Sequence, residues 1–175
     1  MAEAATAEDI AVTVADIRAA RDILRDNVLR TPMIAAPRLS DRCGADIFIK
    51  YENLQATGSF KDRGATVKMM SLSDEQRTRG VITMSAGNHA QAVAFHARRL
   101  GIPATIIMPE GTPFVKVGNT EALGARVILA GETLNDAREE TERLAADEGL
   151  TLVHPYDDPL IISGQGTVGL EILED

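Results

Sequence analysis

Apolar residues along this chain follow two rhythms, one helical and one extended. Ile17, Ala20, Leu24 and Val28 fall three, four and four apart, behind Thr13 as an N-cap and ahead of Thr31-Pro32, so a helix with a wet, charged outer face is predicted there. Ile47 and Ile49 alternate with their neighbours between Asp46 and Tyr51, and Asn53 to Gly58 is turn-like. A strand is therefore predicted to lead into a helix that opens at Lys61. From residue 80 onward one plan repeats: a short apolar strand, a polar turn, an amphipathic helix and a closing glycine. The predicted strands are Val81 to Met84, Ala104 to Met108 and Arg126 to Leu129, and the helices begin near Asn88, Pro113 and Leu134. Gly101, Gly124 and Gly149 close them, and Thr112-Pro113 reads as a cap and first-turn pair. A further strand near Leu150 to Val153 completes a pattern best met by parallel strands joined through helical crossovers, an α/β fold.

Composition supports that architecture. Hydrophobic residues make up 45% and charged residues 25% of 175 residues, enough to bury a core. With no Trp and 3% aromatic residues, the interior has to be built from Ile, Val, Leu, Ala and Met, which suits stacked strand and helix layers. The length allows one ordinary domain, or a small domain with pieces of another. A formal net charge of −8 argues against nucleic acid as a partner, so an anionic ligand would need local help. Cys43 stands alone, which removes a disulfide framework and a cysteine-based zinc site and favours the cytosol. The first twelve residues carry Glu3, Glu8 and Asp9 rather than a secretory signal, and no apolar run is long enough to span a membrane.

Chemistry concentrates in two turns. Lys61 follows Thr57-Gly58-Ser59-Phe60 at a helix start. A lysine in such a place is usually a solvated surface residue. Here Gly58 permits an unusual backbone, Ser59 can cap and Phe60 can exclude water, conditions that make an amine easier to deprotonate and hence nucleophilic. The run Ser85-Ala86-Gly87-Asn88-His89-Ala90-Gln91 lies between a strand and a helix. It reads either as a turn that binds carboxylate or phosphate or as an ordinary polar helix cap. His96 and His154 show no metal spacing with His89, and His96 reads as structural or surface. Gly164-Gln165-Gly166-Thr167-Val168-Gly169 matches the dinucleotide fingerprint but lacks a full strand before it and an acidic residue about twenty positions later, so it is set aside. Asp157 and Asp158 before Pro159 read as turn and capping residues, and Arg138 to Arg143 as a solvated helix face.

On these residues the sequence resembles the pyridoxal-phosphate-dependent threonine dehydratases, within the beta family (fold type II) that includes serine racemase and cysteine synthase. The markers are Glu52-Asn53-Leu54-Gln55, Gly58-Ser59-Phe60-Lys61 with Arg63-Gly64-Ala65, Ser85 to Gln91, His154 to Pro159, and Gly164-Gln165-Gly166-Thr167, which together cover almost the whole chain. The resemblance implies that Lys61 condenses with the cofactor pyridoxal 5'-phosphate, with Phe60 and Asn88 also at the cofactor and Asn88 meeting its ring hydroxyl. It implies that Ser85, Asn88 and His89 surround the substrate carboxylate, and that threonine or serine is converted by β-elimination to 2-oxobutanoate or pyruvate and ammonia. His89-Ala90 after Asn88 looks like the dehydratase and racemase branch. Ala86, where racemase members often carry a serine, favours elimination over racemisation.

The implied architecture is a three-layer small α/β domain over residues 53–153, between segments 1–52 and 154–175 of a larger domain. The family's glycine-rich phosphate loop lies downstream of Thr167, so the larger domain is expected to be incomplete, with apolar surface exposed, and the isolated chain inactive or very weak. Residues 116–124 depart from the family pattern, away from the chemistry. The expected partners are a small amino-acid substrate and either further copies of the chain or the remainder of the enzyme, with neither nucleic acid nor membrane. A serine dehydratase or racemase, and a non-catalytic binding or assembly module, are the alternatives.

Overall fold

The computed structural model describes residues 12–175, so the reading of the acidic amino terminus lies largely outside the described residues. In chain order the elements are α1 (Val14–Leu24), β1 (Met33–Ala35), α2 (Pro37–Cys43), β2 (Phe48–Lys50), a 3-10 turn (Glu52–Leu54), α3 (Lys61–Met70), α4 (Asp74–Arg79), β3 (Val81–Met84), α5 (Asn88–Leu100), β4 (Ala104–Met108), α6 (Phe114–Ala122), β5 (Arg126–Leu129), α7 (Leu134–Glu148), β6 (Thr151–Leu152) and α8 (Pro159–Glu174). Four strands form a parallel sheet in the order β5-β4-β3-β6. The repeated strand-turn-helix plan read from residue 80 onward is present, and Gly101 and Gly149 end α5 and α7 in the left-handed conformation that glycine adopts most easily.

Successive strand residues point to opposite faces, and that alternation builds three layers. Val81, Ile106 and Met108 pack with Ala90, Val93 and Ala97 of α5, while Ile82 and Ile107 pack with Ala137 and Leu144 of α7. All five residues of β4 are buried, as a central strand covered on both faces requires. Thr13 caps α1 as predicted: its hydroxyl accepts from the Asp16 N–H, and Asp16 Oδ2 accepts from the Thr13 N–H at 2.8 Å. The helix stops at Leu24 rather than Val28, because the Asn27 side chain donates to Ile23 O at 2.7 Å while its own N–H bonds Leu24 O, tightening the last turn. Pro113 is the N-cap of α6 and not a first-turn residue.

Two features of the first third were not read from the pattern. The strand predicted over 46–51 is only β2, and it pairs antiparallel with β1. Ile34 and Phe48 on this ribbon and Ile172 and Leu173 at the end of α8 leave apolar surface exposed, as the reading of the flanking segments expected.

The glycine run at 164–169 lies inside α8, so it is no phosphate-binding turn. Its first two glycines are contact points between helices. A Cβ at Gly164 would fall 2.6 Å from the Cα of Gly64 in α3, and one at Gly166 would fall 2.8 Å from Ile17 Cδ1 in α1. The Gly64 N–H donates to Gln165 Oε1 at 3.2 Å across the same crossing. Asp158 caps α8 through Oδ1 and accepts from Lys68 Nζ at 2.6 Å, which ties the start of α8 to α3.

A buried ion network joins distant segments around α3. The guanidinium of Arg63, wholly buried, donates through Nε and Nη2 to Glu52 at 2.8 and 2.7 Å and through Nη1 and Nη2 to Glu171 at 2.7 and 2.9 Å. Its Nη1 also donates to Thr167 Oγ1 at 3.1 Å. Lys50 Nζ lies 2.8 Å from Glu171 Oε2, so β2, the 3-10 turn, α3 and α8 share one cluster of charge.

Candidate active site

Lys61 is the first residue of α3, and the loop before it is held in place. Gly58 adopts a left-handed φ of 76°, and Asp62 accepts both the Thr57 N–H, at 3.0 Å, and the Thr57 hydroxyl. Ser59 Oγ accepts from the Lys61 N–H at 3.3 Å, but it does so from one residue before the N-cap, which is Phe60, so α3 has no side-chain cap of the kind read for Ser59. Phe60 does less than expected: it is 42% exposed, with Lys61 Nζ 5.2 Å from its ring centroid, so it covers one side of the amine and does not seal it.

The amine of Lys61 donates to Pro155 O at 2.6 Å. Burial lowers its pKa below the ordinary lysine value, which enlarges the free-base fraction at neutral pH. The charge that remains on the amine is held by a neutral carbonyl, a weaker partner than a carboxylate.

Helix α5 begins at Asn88. Its N-cap is Gly87, whose N–H is accepted by Ser85 Oγ at 3.2 Å, and a Cβ at Gly87 would meet nothing within 4 Å. The first N–H groups of this thirteen-residue helix have no intrahelical acceptor and lie at its positive dipole end, so the open turn suits an anionic group. Asn88 is exposed at this mouth and Ser85 is half-buried.

His89 takes a different direction. Its side chain is 3% exposed and Nε2 lies 3.1 Å from Val153 O. A carbonyl can only accept, so Nε2 carries the proton. Lys61 and His89 therefore bind the same segment, two residues apart, at Pro155 and Val153. For a substrate carboxylate, residue 89 offers its backbone N–H rather than its imidazole.

Burial lowers the His89 pKa to about 4; the Val153 bond works against that, and the charges of Lys61 and His154 work with it. Unfolded, the imidazole takes its proton near 6.5, so between the two values the unfolded chain binds more protons and is favoured by acid. Stability is whole above pH 6.5 and should fall by about 2–3 kcal/mol on acidification to pH 4.5. Urea midpoints of the parent and of His89→Gln across this range check it, since the variant should lose most of that slope.

His96, two helical turns beyond His89, is a structural residue: it is 1% exposed, with Nε2 3.4 Å from Asp62 Oδ1. Among the described residues no group of three or more His, Cys, Asp or Glu is placed to hold a metal ion, and no helix is long and apolar enough to cross a membrane.

The arrangement pairs a half-buried amine with an open, electropositive helix turn, a donor set that fits an aldehyde cofactor bearing anionic groups. Comparison with known proteins agrees. The sequence profile of the family described as pyridoxal-phosphate dependent enzyme matches residues 24–175. The chain is 49% identical over 165 residues to the catabolic L-threonine dehydratase TdcB of Staphylococcus aureus strain N315, covering 94% of this chain and 48% of that protein. Maize serine racemase superposes with a TM-score of 0.89 at 38% identity, over 94% of this chain and 50% of its own. The processed threonine deaminase isoform 2 of Solanum lycopersicum gives 0.86 at 40% identity, over 99% and 47%. The chain thus spans about half the length of the relatives it matches.

Proposed function

This chain belongs to the pyridoxal-phosphate dependent enzymes, of fold type II, and we propose that it carries the lysine-bearing part of a threonine dehydratase. The reaction is the β-elimination of L-threonine to 2-oxobutanoate and ammonia, or of L-serine to pyruvate and ammonia. The observation that carries this reading is the half-buried Lys61 amine, lowered in pKa by burial and bonded to Pro155 O, on the same Val153–Pro155 segment that the start of α5 reaches through His89. When bound, pyridoxal phosphate supplies a conjugated ring that takes up the electron pair left at Cα.

The protein's part is to place and to move protons. Lys61 Nζ is the group that would hold the cofactor through its aldehyde carbon, and as a free amine it would serve as the base for the substrate Cα proton. Asn88, exposed at the mouth of α5, would hold the ring hydroxyl. Ser85 and the N–H groups of residues 88 and 89 would orient the substrate carboxylate, with the helix dipole favouring its charge. Phe60 lies against the amine on the solvent side. Residues 53–153 are read as the lobe that bears these groups, with the described residues of 1–52 and segment 154–175 assigned to the other.

Treatment with pyridoxal phosphate and borohydride, followed by mass mapping, should place the reduced adduct on Lys61, and Lys61→Ala should lose it. A label concentrated on Lys50, Lys68 or Lys116 instead would remove the assignment. Similarity to serine racemase favours a second reading in which serine is also inverted, whereas Ala86 leaves the turn without a hydroxyl at that position. Following the chirality of unreacted serine beside ammonia release from threonine separates the two.

A further inference from the structure

His89 has a buried imidazole for which the elimination chemistry provides no task. Its Nε2–H is used by Val153 O at 3.1 Å, and its Nδ1, also buried, has no hydrogen-bond partner among the described residues. The residue is the second of α5, in the turn proposed to take the substrate carboxylate, yet its ring reaches to the residue after β6. There Val153, itself fully buried, leads into His154-Pro155. The carbonyl of Pro155 is the acceptor of the Lys61 amine at 2.6 Å.

We propose that His89 is a positioning residue for Lys61: its imidazole fixes the Val153 carbonyl and so sets the Val153–Pro155 segment on which the lysine amine rests. The segment is pinned at three successive points. Val153 N donates to Ile82 O at 2.8 Å in β3, Val153 O is held by His89, and beyond Pro155 the turn is closed by His154 Nδ1, which accepts from the Asp157 N–H at 2.7 Å. Of these ties only the His89 bond links the segment to the substrate-facing helix. It therefore couples the resting place of the amine to α5, a helix that also packs directly on α3, where Ala65 and Met69 share a core with Ala90 and Val93 and His96 Nε2 lies 3.4 Å from Asp62 Oδ1. A neutral imidazole suits this place, because burial first, and then the facing Lys61 and His154, disfavour a positive charge on the ring. The vacant acceptor at Nδ1 is what remains when the ring is held in the tautomer the carbonyl requires.

The proposal rests on the reading of Lys61 as the reactive amine, and its test is made without cofactor so that the two can fail separately. In the full 175-residue chain, nitrogen-15 shifts of His89 should report an Nε2–H tautomer that does not titrate between pH 6 and pH 9. Competitive acetylation at pH 8 then compares Lys61 with the exposed Lys116. In His89→Leu the segment loses its tie, water reaches the amine, and Lys61 labelling relative to Lys116 should fall about threefold to tenfold as its pKa returns toward the ordinary value. In His89→Gln, whose side-chain amide can donate to the same carbonyl, labelling should stay within about twofold of the parent. A folded His89→Leu chain with unchanged Lys61 labelling overturns the proposal, as does loss of labelling that His89→Gln fails to restore. Should His89→Leu not fold, an Nδ1–H tautomer or a titration above pH 6 in the parent overturns it alone.

Discussion

Arg63→Met is expected to lower the unfolding free energy by about 3–5 kcal/mol, measured by urea denaturation followed by circular dichroism. The size follows from what the substitution leaves behind. Arg63 has no exposed surface, and its fork engages both oxygens of Glu52 and both of Glu171. Removing the cation strands one half-buried and one buried carboxylate, with only Lys50 left beside Glu171. Desolvation then acts unopposed: at Glu52 burial already pushes the carboxyl pKa upward, and the Arg63 bond and charge, with Thr31 and Gln55, bring the net value below the ordinary one. In the parent, a depressed Glu52 adds stability above its unfolded pKa of 4.5 that is lost as pH falls through its folded value. The variant should lose that acid limb as well. Adding Glu52→Gln and Glu171→Gln to Arg63→Met removes the stranded charges and should recover part of the loss, whereas a single-variant cost under about 1 kcal/mol would mean that the pairs do not hold these segments together.

That network also marks how far a sequence can be read. Strand, turn and helix were legible from residue 80 onward because each is signalled within a few residues: β-branched runs for β3, β4 and β5, and Gly101 and Gly149 as stops. Arg63 and Glu171 are 108 residues apart, and nothing local in either neighbourhood names the other. The β1–β2 ribbon was half-seen for a related reason: Met33–Ala35 is too short to show a period, and only its pairing with Phe48–Lys50 makes it a strand. His89 is a different case. The sequence groups Ser85, Asn88 and His89, but consecutive residues at a helix start point about 100° apart, so the His89 ring goes to Val153 O and leaves the backbone N–H of residue 89 for the turn. The helix predicted to begin near Asn88 already contained that information. The glycine run at 164–169 was rightly denied a dinucleotide, yet its purpose, letting α8 lie on α3 and α1, became visible only once those helices were placed together.

Gly164→Ala tests that purpose and should cost about 3 kcal/mol, the upper part of the usual range for overpacking, since the atoms in the way are main chain. The new methyl would sit 2.6 Å from Gly64 Cα and 2.8 Å from Gly64 N, and backbone inside a helix cannot turn aside as a side chain can. The two helices would have to separate, which also strains the Gly64 N–H bond to Gln165 and the Arg63 bonds to Thr167 and Glu171 on the same face. Gly169→Ala is the matched control, in the same helix and with the same added methyl, because a Cβ there meets nothing within 4 Å. It should be neutral or stabilise by up to about 1 kcal/mol, as alanine does in a helix interior. Comparing the two denaturation midpoints separates helix propensity from close approach: equal shifts would mean that the α3–α8 crossing can widen freely. Lys61 stands three residues before Gly64 on α3, so a crossing forced apart should also displace the amine, and Gly164→Ala should change Lys61 labelling where Gly169→Ala does not.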